Sequence, residues 1–420
     1  MRKILLLLAA FLCATACIYP YSPELEEAPE GVLSVDGNIC IGSSSTVRLG
    51  TLLSLWKAEW KPADFSDARV WVEDDAGDEY PGTSAPYGYG YGWNQPAYTI
   101  DTRNAPADRR YRLCIEALGD RYVSEWNDVL PPPVIRDISF SADEEDVHVA
   151  VSVDGGDGGT GYALLSYEET WEFHADYFLS YEAVYDEFSG FVSVGKKRTP
   201  DMSRYWCWRT VNNNQSFPVD YTGQAEGGFT GYPLLSFSRR DNRNHLRYCV
   251  SVTARTISRD TYRFLHNLQE NTSGGDNLFT PNPGEIGGNL RCEGHPERTV
   301  LGYAVFSSAT SKRAFLDSRY RKPVPQASLQ YPLSQFYKEY LDNDYLPLVE
   351  NDNPNSDPEK EGPYGWGGPR CYDCTAVGGT QTKPDYWDDF RADGDFVRRE
   401  HDLVGRHLLA VDRDAAALDE

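Results

Sequence analysis

From residue 31 to about 131, apolar and polar residues alternate with period two. Leu33, Val35, Ile39 and Ile41 interleave with Asp36, Asn38 and Cys40; Ala68, Val70 and Val72 with Arg69 and Trp71; Tyr111, Leu113, Ile115 and Ala117 with Arg112, Cys114 and Glu116. Successive side chains of a strand point to opposite faces, so this pattern predicts half-buried antiparallel strands. With the turn signal Asp75-Ala76-Gly77-Asp78 between two of them, it predicts a β-sandwich over 31–131. Pro131-Pro132-Pro133 then marks a domain boundary. Beyond it, strands are expected at 135–140, 147–153, 162–173, 246–252 and 300–306, with a Gly-rich hairpin at 154–159. One helix is signalled by Ser258 as N-cap, Asp260 in the first turn, and Tyr262, Leu265 and Leu268 along one face. Residues 132–390 are therefore expected to form a larger β-rich domain with a few helices, and 391–420 a charged C-terminal tail.

The start of the chain follows a different pattern. Met1-Arg2-Lys3 is positive, 4–12 is an apolar run too short to span a bilayer, and Ala14-Thr15-Ala16 precedes Cys17. Small residues directly before a Cys predict a bacterial lipoprotein signal over 1–16, with Cys17 acylated. Residues 17–30 carry Pro20, Pro23 and Pro29 among several Glu and read as an extended tether.

Charge and cysteine content narrow the function classes. The chain has 420 residues, 64 Asp plus Glu against 40 Lys plus Arg, and a formal charge of -24. A nucleic-acid binder needs a basic footprint, and the longest basic run is Lys196-Lys197-Arg198, so nucleic acid is excluded as a partner. An exported compartment permits disulfides. Apart from Cys13 and Cys17, the cysteines are Cys40, Cys114, Cys207, Cys249, Cys292, Cys371 and Cys374, an odd set. Cys40 and Cys114 both fall on the polar face of their strands: they are either a bridge between neighbours or two isolated thiols. Cys371-Tyr372-Asp373-Cys374 lacks the second pair a zinc site needs and is followed by a poor helix start, so it reads as a local disulfide.

Catalytic chemistry has no motif. None of His148, His174, His245, His266, His295, His401 and His407 has metal-ligand spacing, and no nucleophile elbow is present. The stretch 190–197 has Lys197 where a phosphate loop needs Ser or Thr, and 191–194 reads as a strand. Acidic clusters at 143–146 and 342–344 lack a calcium-loop pattern and read as solvated surface. No catalytic residue, metal or cofactor is expected, and the chain is read as a non-enzyme. Tyr87, Tyr89, Tyr91 and Trp93 alternate with glycines: they are either exposed rings that contact sugars or partner proteins, or rings folded back on their own sheet. Tyr364 and Trp366 form a second aromatic and glycine stretch and a second candidate binding surface.

Several segments together carry a family likeness. They are L-S-V-D-G-N-I at 33–39, A-R-V-W-V-E-D-D-A-G at 68–77, Trp206-Cys207-Trp208 and the Y-C-V-S-V strand before Ser258. To these add L-F-T-P-N-P-G-E-I-G-G-N-L-R-C from Leu278 with V-L-G-Y shortly after, C-Y-D-C-T-A-V-G-G-T from Cys371, and Lys383-Pro384-Asp385-Tyr386-Trp387. From about 16 to 387 the chain resembles the domain of unknown function 4249 family, lipid-anchored outer-membrane proteins of Bacteroidota. The resemblance implies a two-part β structure: an N-terminal Ig-like or prealbumin-like β-sandwich followed by the larger β-rich domain. It implies genes beside TonB-dependent outer-membrane transporters, and hence an accessory lipoprotein that binds a ligand or docks on the transporter. The alternative is a surface adhesin or glycan-binding lipoprotein. The resemblance also implies a Cys207–Cys292 bridge, which with the other two pairs leaves Cys249 as a buried thiol.

Overall fold

The computed structural model describes residues 32–51, 65, 67–84, 96–155, 160–213, 215–224, 227–273 and 287–387. The expected signal, Cys17, the tether and the tail 391–420 lie outside them. The chain forms two compact units, and each is assembled from two separate stretches: Met1–Pro131 with Ile257–Ser308, and Pro132–Thr256 with Ala309–Glu420.

The first stretch supplies β1 (Leu33–Cys40), β2 (Ser44–Thr51), β3 (Arg69–Asp74), β4 (Glu79–Ser84), β5 (Ala97–Asp101), β6 (Arg110–Ala117), β7 (Asp120–Ser124) and β8 (Asn127–Asp128). The second unit then begins with β9 (Val134–Ala142), β10 (Asp146–Asp154), β11 (Tyr162–His174), β12 (Leu179–Asp186), β13 (Phe191–Asp201), β14 (Trp206–Asn212), β15 (Phe217–Asp220), β16 (Gly228–Ser238) and β17 (Arg247–Thr256). Next the chain returns to the first unit for α1 (Arg259–Ser273), β18 (Leu290–Cys292) and β19 (Leu301–Ser307). It ends in the second with β20 (Ala309–Asp317), α2 (Tyr337–Asp342), β21 (Leu346–Glu350), β22 (Tyr364–Gly367) and α3 (Pro369–Tyr372). The protein is thus mainly β with a few helices. The expectation of a contiguous second region fails at 257–308, because β18 pairs β7 and β19 pairs β1.

In the first unit the strand order is β18-β7-β6-β3-β4-β5-β2-β1-β19, with β8 beside β6. Leu33, Val35, Leu49 and Ile100 from one half of this sheet share a core with Val70, Val72, Leu113 and Ile115 from the other. The predicted sandwich is therefore present as two halves of one continuous sheet, which β4 joins by pairing with both β3 and β5. Pairing is antiparallel except between β1 and β19, which run parallel from Ser34 opposite Leu301 to Cys40 opposite Ser307. At α1 the Thr261 N–H donates to Ser258 Oγ at 3.1 Å, as an N-cap should. The docked face is rotated from the predicted one: Phe264 stacks on Tyr303 at 4.6 Å, whereas Leu268 is 44% exposed.

The second unit packs a three-stranded sheet, β16-β10-β9, against a larger one, β14-β11-β17-β20, with β15 also on β11. Val147, Val149, Val151 and Val153 of β10 meet Leu165, Phe173, Tyr248, Val250 and Val252 in its core. Both edges of β10 are occupied by β9 and β16, so β10 and β11 lie in different sheets and do not form the expected hairpin. Two separate pairs complete the unit, β12 with β13 and β21 with β22. Among the described residues no helix is long and apolar enough to cross a membrane.

Candidate functional site

Two features of the second unit combine side-chain chemistry with access. The first is the β12–β13 hairpin. Its inner face is tied down: Tyr181 donates to Glu350 Oε1 at 3.0 Å and packs on Tyr364, and Lys338 Nζ lies 4.7 Å from the Tyr185 ring centroid. On its other face Val184 is 54% and Phe191 74% exposed, and Phe188 at the tip is entirely so. The tip has a defined conformation. Asp186 Oδ1 accepts from the Phe188 N–H at 2.9 Å, its Oδ2 accepts from Ser189 Oγ at 2.9 Å, and the Gly190 N–H donates to the Asp186 carbonyl at 2.8 Å. Gly190 completes the turn at φ 75°, where a side chain would be strained. Hydrogen bonds to its charged form, the Phe188 N–H foremost, hold the Asp186 carboxyl below its ordinary pKa. Two phenyl rings are therefore presented to solvent on a fixed turn, each able to contribute roughly 1.5–3 kcal/mol if a partner covers it.

The second feature is an open groove of about 420 Å³ on the β11–β14 surface, lined by Glu169, Trp171, Phe173, Arg209, Val211, Asp241, Asn242, Arg243 and Val377. Register brings the first five together, because Glu169 lies opposite Val211 and Trp171 opposite Arg209. Glu169 Oε1 accepts from Arg243 Nη1 at 3.1 Å and from the Tyr248 hydroxyl at 2.8 Å. Arg243 also donates to Asp241 through Nε and Nη2, each at 3.2 Å. Burial opposes the charge on Arg243, but Asp241 and Glu169 outweigh it and hold its pKa above the ordinary value. Arg209 lies over Trp171 at 5.6 Å and donates to the Val377 carbonyl at 3.3 Å.

Residues 18–313 match the family described as domain of unknown function DUF4249. The chain belongs to the DUF4249 family. No curated protein matches it. The match ends inside β20, so the Cys371–Cys374 segment and Tyr386-Trp387 lie beyond it.

In this DUF4249 protein neither the expected Cys371–Cys374 bridge nor the Cys207–Cys292 bridge forms. Cys207 is bonded to Cys374. That bond occupies Cys207 and so rules out the Cys207–Cys292 pair; Cys292, on β18, is a buried thiol. Cys371 points instead into an apolar cluster with Leu348 and Tyr372, and burial raises its thiol pKa. The three-residue spacing on a tight turn thus sends the two sulfurs in different directions. Cys40 and Cys114 are not joined: β3, β4, β5 and β2 stand between their strands in the sheet. Alternation placed Cys114 on a polar face, yet it is buried with Trp71 and Val123, and Arg69 and Arg121 cover that tryptophan at 4.4 and 5.5 Å. Burial, then Glu73, pushes the Cys114 thiol up to about 12. Cys249 is a buried thiol, as expected, its pKa pushed up to about 12 by burial.

Of the aromatic candidates, Tyr87, Tyr89, Tyr91 and Trp93 lie outside the described residues. Trp366 is completely buried, with Tyr337 at 4.8 Å and Tyr340 at 6.1 Å, so its ring offers no binding surface; Tyr364, on the same strand β22, is half-buried and packs on Tyr181. Its glycines allow close packing. A Cβ on Gly365 would meet Leu329 and Val349 at 2.9 and 3.0 Å, and one on Gly367 would meet Leu348 and Cys371 at 2.6 and 2.9 Å. Among the described residues no group of His, Cys, Asp and Glu is placed to hold a metal ion. The Phe188 and Phe191 tip was the feature sequence reading passed over; two phenylalanines flanking Ser189-Gly190 were its available signal.

Proposed function

We propose that this DUF4249 protein is a non-catalytic, lipid-anchored accessory protein of the outer membrane that docks on a TonB-dependent transporter. The β12–β13 tip is the contact. The observation that carries the reading is the pair Phe188 and Phe191, exposed on a turn whose geometry Asp186 fixes. A preordered tip loses little conformational entropy on association, which favours binding through few residues. The lipoprotein signal expected before Cys17 and the transporter genes that the family resemblance implies support the choice of membrane and partner.

Gentle detergent extraction followed by affinity purification tests the idea. The wild-type protein should retain a β-barrel transporter, and Phe188→Ser with Phe191→Ser should release it while thermal unfolding is unchanged. Repeated recovery of the wild type alone, or equal recovery of the transporter with the double variant, would overturn it.

A further inference from the structure

The groove on β11 and β14 has a charge pattern that selects a ligand. Four charged side chains line it, and three of them satisfy one another. Glu169 accepts from Arg243 and Tyr248, while the Asp241 carboxylate is spanned by Arg243 Nε and Nη2. Arg243 is in turn packed over Phe237 at 5.0 Å, so this triad is closed upon itself.

Arg209 is the exception. Its one hydrogen bond at the groove goes to a neutral acceptor, the Val377 carbonyl, and among the described residues no carboxylate pairs with it. Cross-strand pairing with Trp171 and the ring contact at 5.6 Å place the guanidinium over the groove floor. A planar fork of N–H donors held this way matches a carboxylate better than a flexible ammonium does.

Apart from Asn242, the rest of the lining is apolar. Trp171 and Phe173 come from β11, Val211 from β14 and Val377 from the short helical turn Cys374–Val377. That turn is held against β14 by the Cys207–Cys374 bond, so the wall bearing Val377 is covalently fixed to the strand bearing Arg209. A cationic ligand would meet Arg209 unopposed and find both carboxylates already engaged. A neutral apolar one would leave the guanidinium unused.

From this pattern we infer that the groove binds a small organic acid, its carboxylate on Arg209 and its apolar body on Phe173, Val211 and Val377. The inference concerns a site separate from the Phe188 tip and does not depend on the docking reading.

Titration calorimetry on the full chain at moderate salt tests it with 3-phenylpropionate and octanoate as probes, against 3-phenylpropanol and octanol. The acids should bind, and the alcohols should bind roughly tenfold or more weakly. Arg209→Gln should weaken the acids by a similar factor and leave the alcohols unchanged, with partial recovery in Arg209→Lys. Because Arg209 is exposed, these variants are expected to fold. The Phe188→Ser, Phe191→Ser protein should bind the acids like wild type, so that loss of transporter docking and loss of acid binding are read separately. No heat with either acid at millimolar concentration, equal binding of acid and alcohol, or unchanged acid binding in Arg209→Gln would each overturn the assignment.

Discussion

Cys207 and Cys374 are 167 positions apart, so their bond removes much of the freedom of the unfolded chain. Replacing both with Ala should cost about 3–5 kcal/mol, read as a lowered urea midpoint, and peptide mapping should recover the cross-linked pair with Cys371 unbridged. At Gly367 a side chain has no room, since Leu348 and Cys371 close on the position from two sides. Gly367→Val is expected to lower stability by about 1–3 kcal/mol in the same measurement. Among the ionisable groups, His245 stands apart: burial, then His174 and Arg321, depress its pKa from 6.5 to about 2. The unfolded chain therefore takes up a proton that the folded chain refuses as pH falls below 6.5. The stability present above that pH is lost progressively toward pH 2, with a limiting slope of about 1.4 kcal/mol per pH unit. Urea midpoints at pH 7 and pH 5 should differ more for the wild type than for His245→Phe; equal differences would remove His245 as a source of acid sensitivity. The sequence could count the thiols but not pair them, because a sulfur's partner depends on which face of a turn or strand it occupies. Between Cys371 and Cys374 the extended Asp373 ends one helical segment and begins the next, so the two sulfurs leave in different directions.

Among the elements, β11 shows how much alternation reveals and where it stops. Period two was readable over 162–173, and strand β11 runs Tyr162–His174. Which residues it would gather was not readable, because Trp171 meets Arg209 only through register with β14, and Asp241 and Arg243 arrive from a turn far along the chain. The opposite face of this sheet is covered by the family-like Tyr386-Trp387 segment. Tyr386 shares a hydrogen bond of 2.8 Å with Thr170 and lies beneath Arg313. Trp387 donates to Glu172 at 3.1 Å and meets Phe315 edge-on at 5.4 Å. Trp387→Ala should thus cost about 3–5 kcal/mol by chemical denaturation, which is more than a surface residue near a chain end would. Trp366 failed as a predicted surface residue for a complementary reason. Aromatics alternating with glycine suit a loop that exposes rings, but they equally suit a strand pressed so closely by its neighbours that every second side chain must be absent.

For the molecule as a whole, the important boundary lies at 257 as much as at 131. Pro131-Pro132-Pro133 announced its exit from the first unit in composition, but nothing local marks the return, because β17 runs directly into Ile257 and α1. A fragment ending at Pro131 lacks β18 and β19 and leaves an edge of β1 open. It is expected to show no cooperative thermal transition by circular dichroism, in contrast to the full chain. The arrangement of β1 has a mechanical consequence. It is gripped on one side by antiparallel β2 and on the other by parallel β19, whose partner residues lie more than halfway along the chain. Tension applied to the N-terminal end of β1 along its axis strains both ladders in shear, so many hydrogen bonds must yield together and none can be peeled off singly. Under the proposed anchoring at Cys17, load would reach the first unit through a strand that is hard to draw out of it.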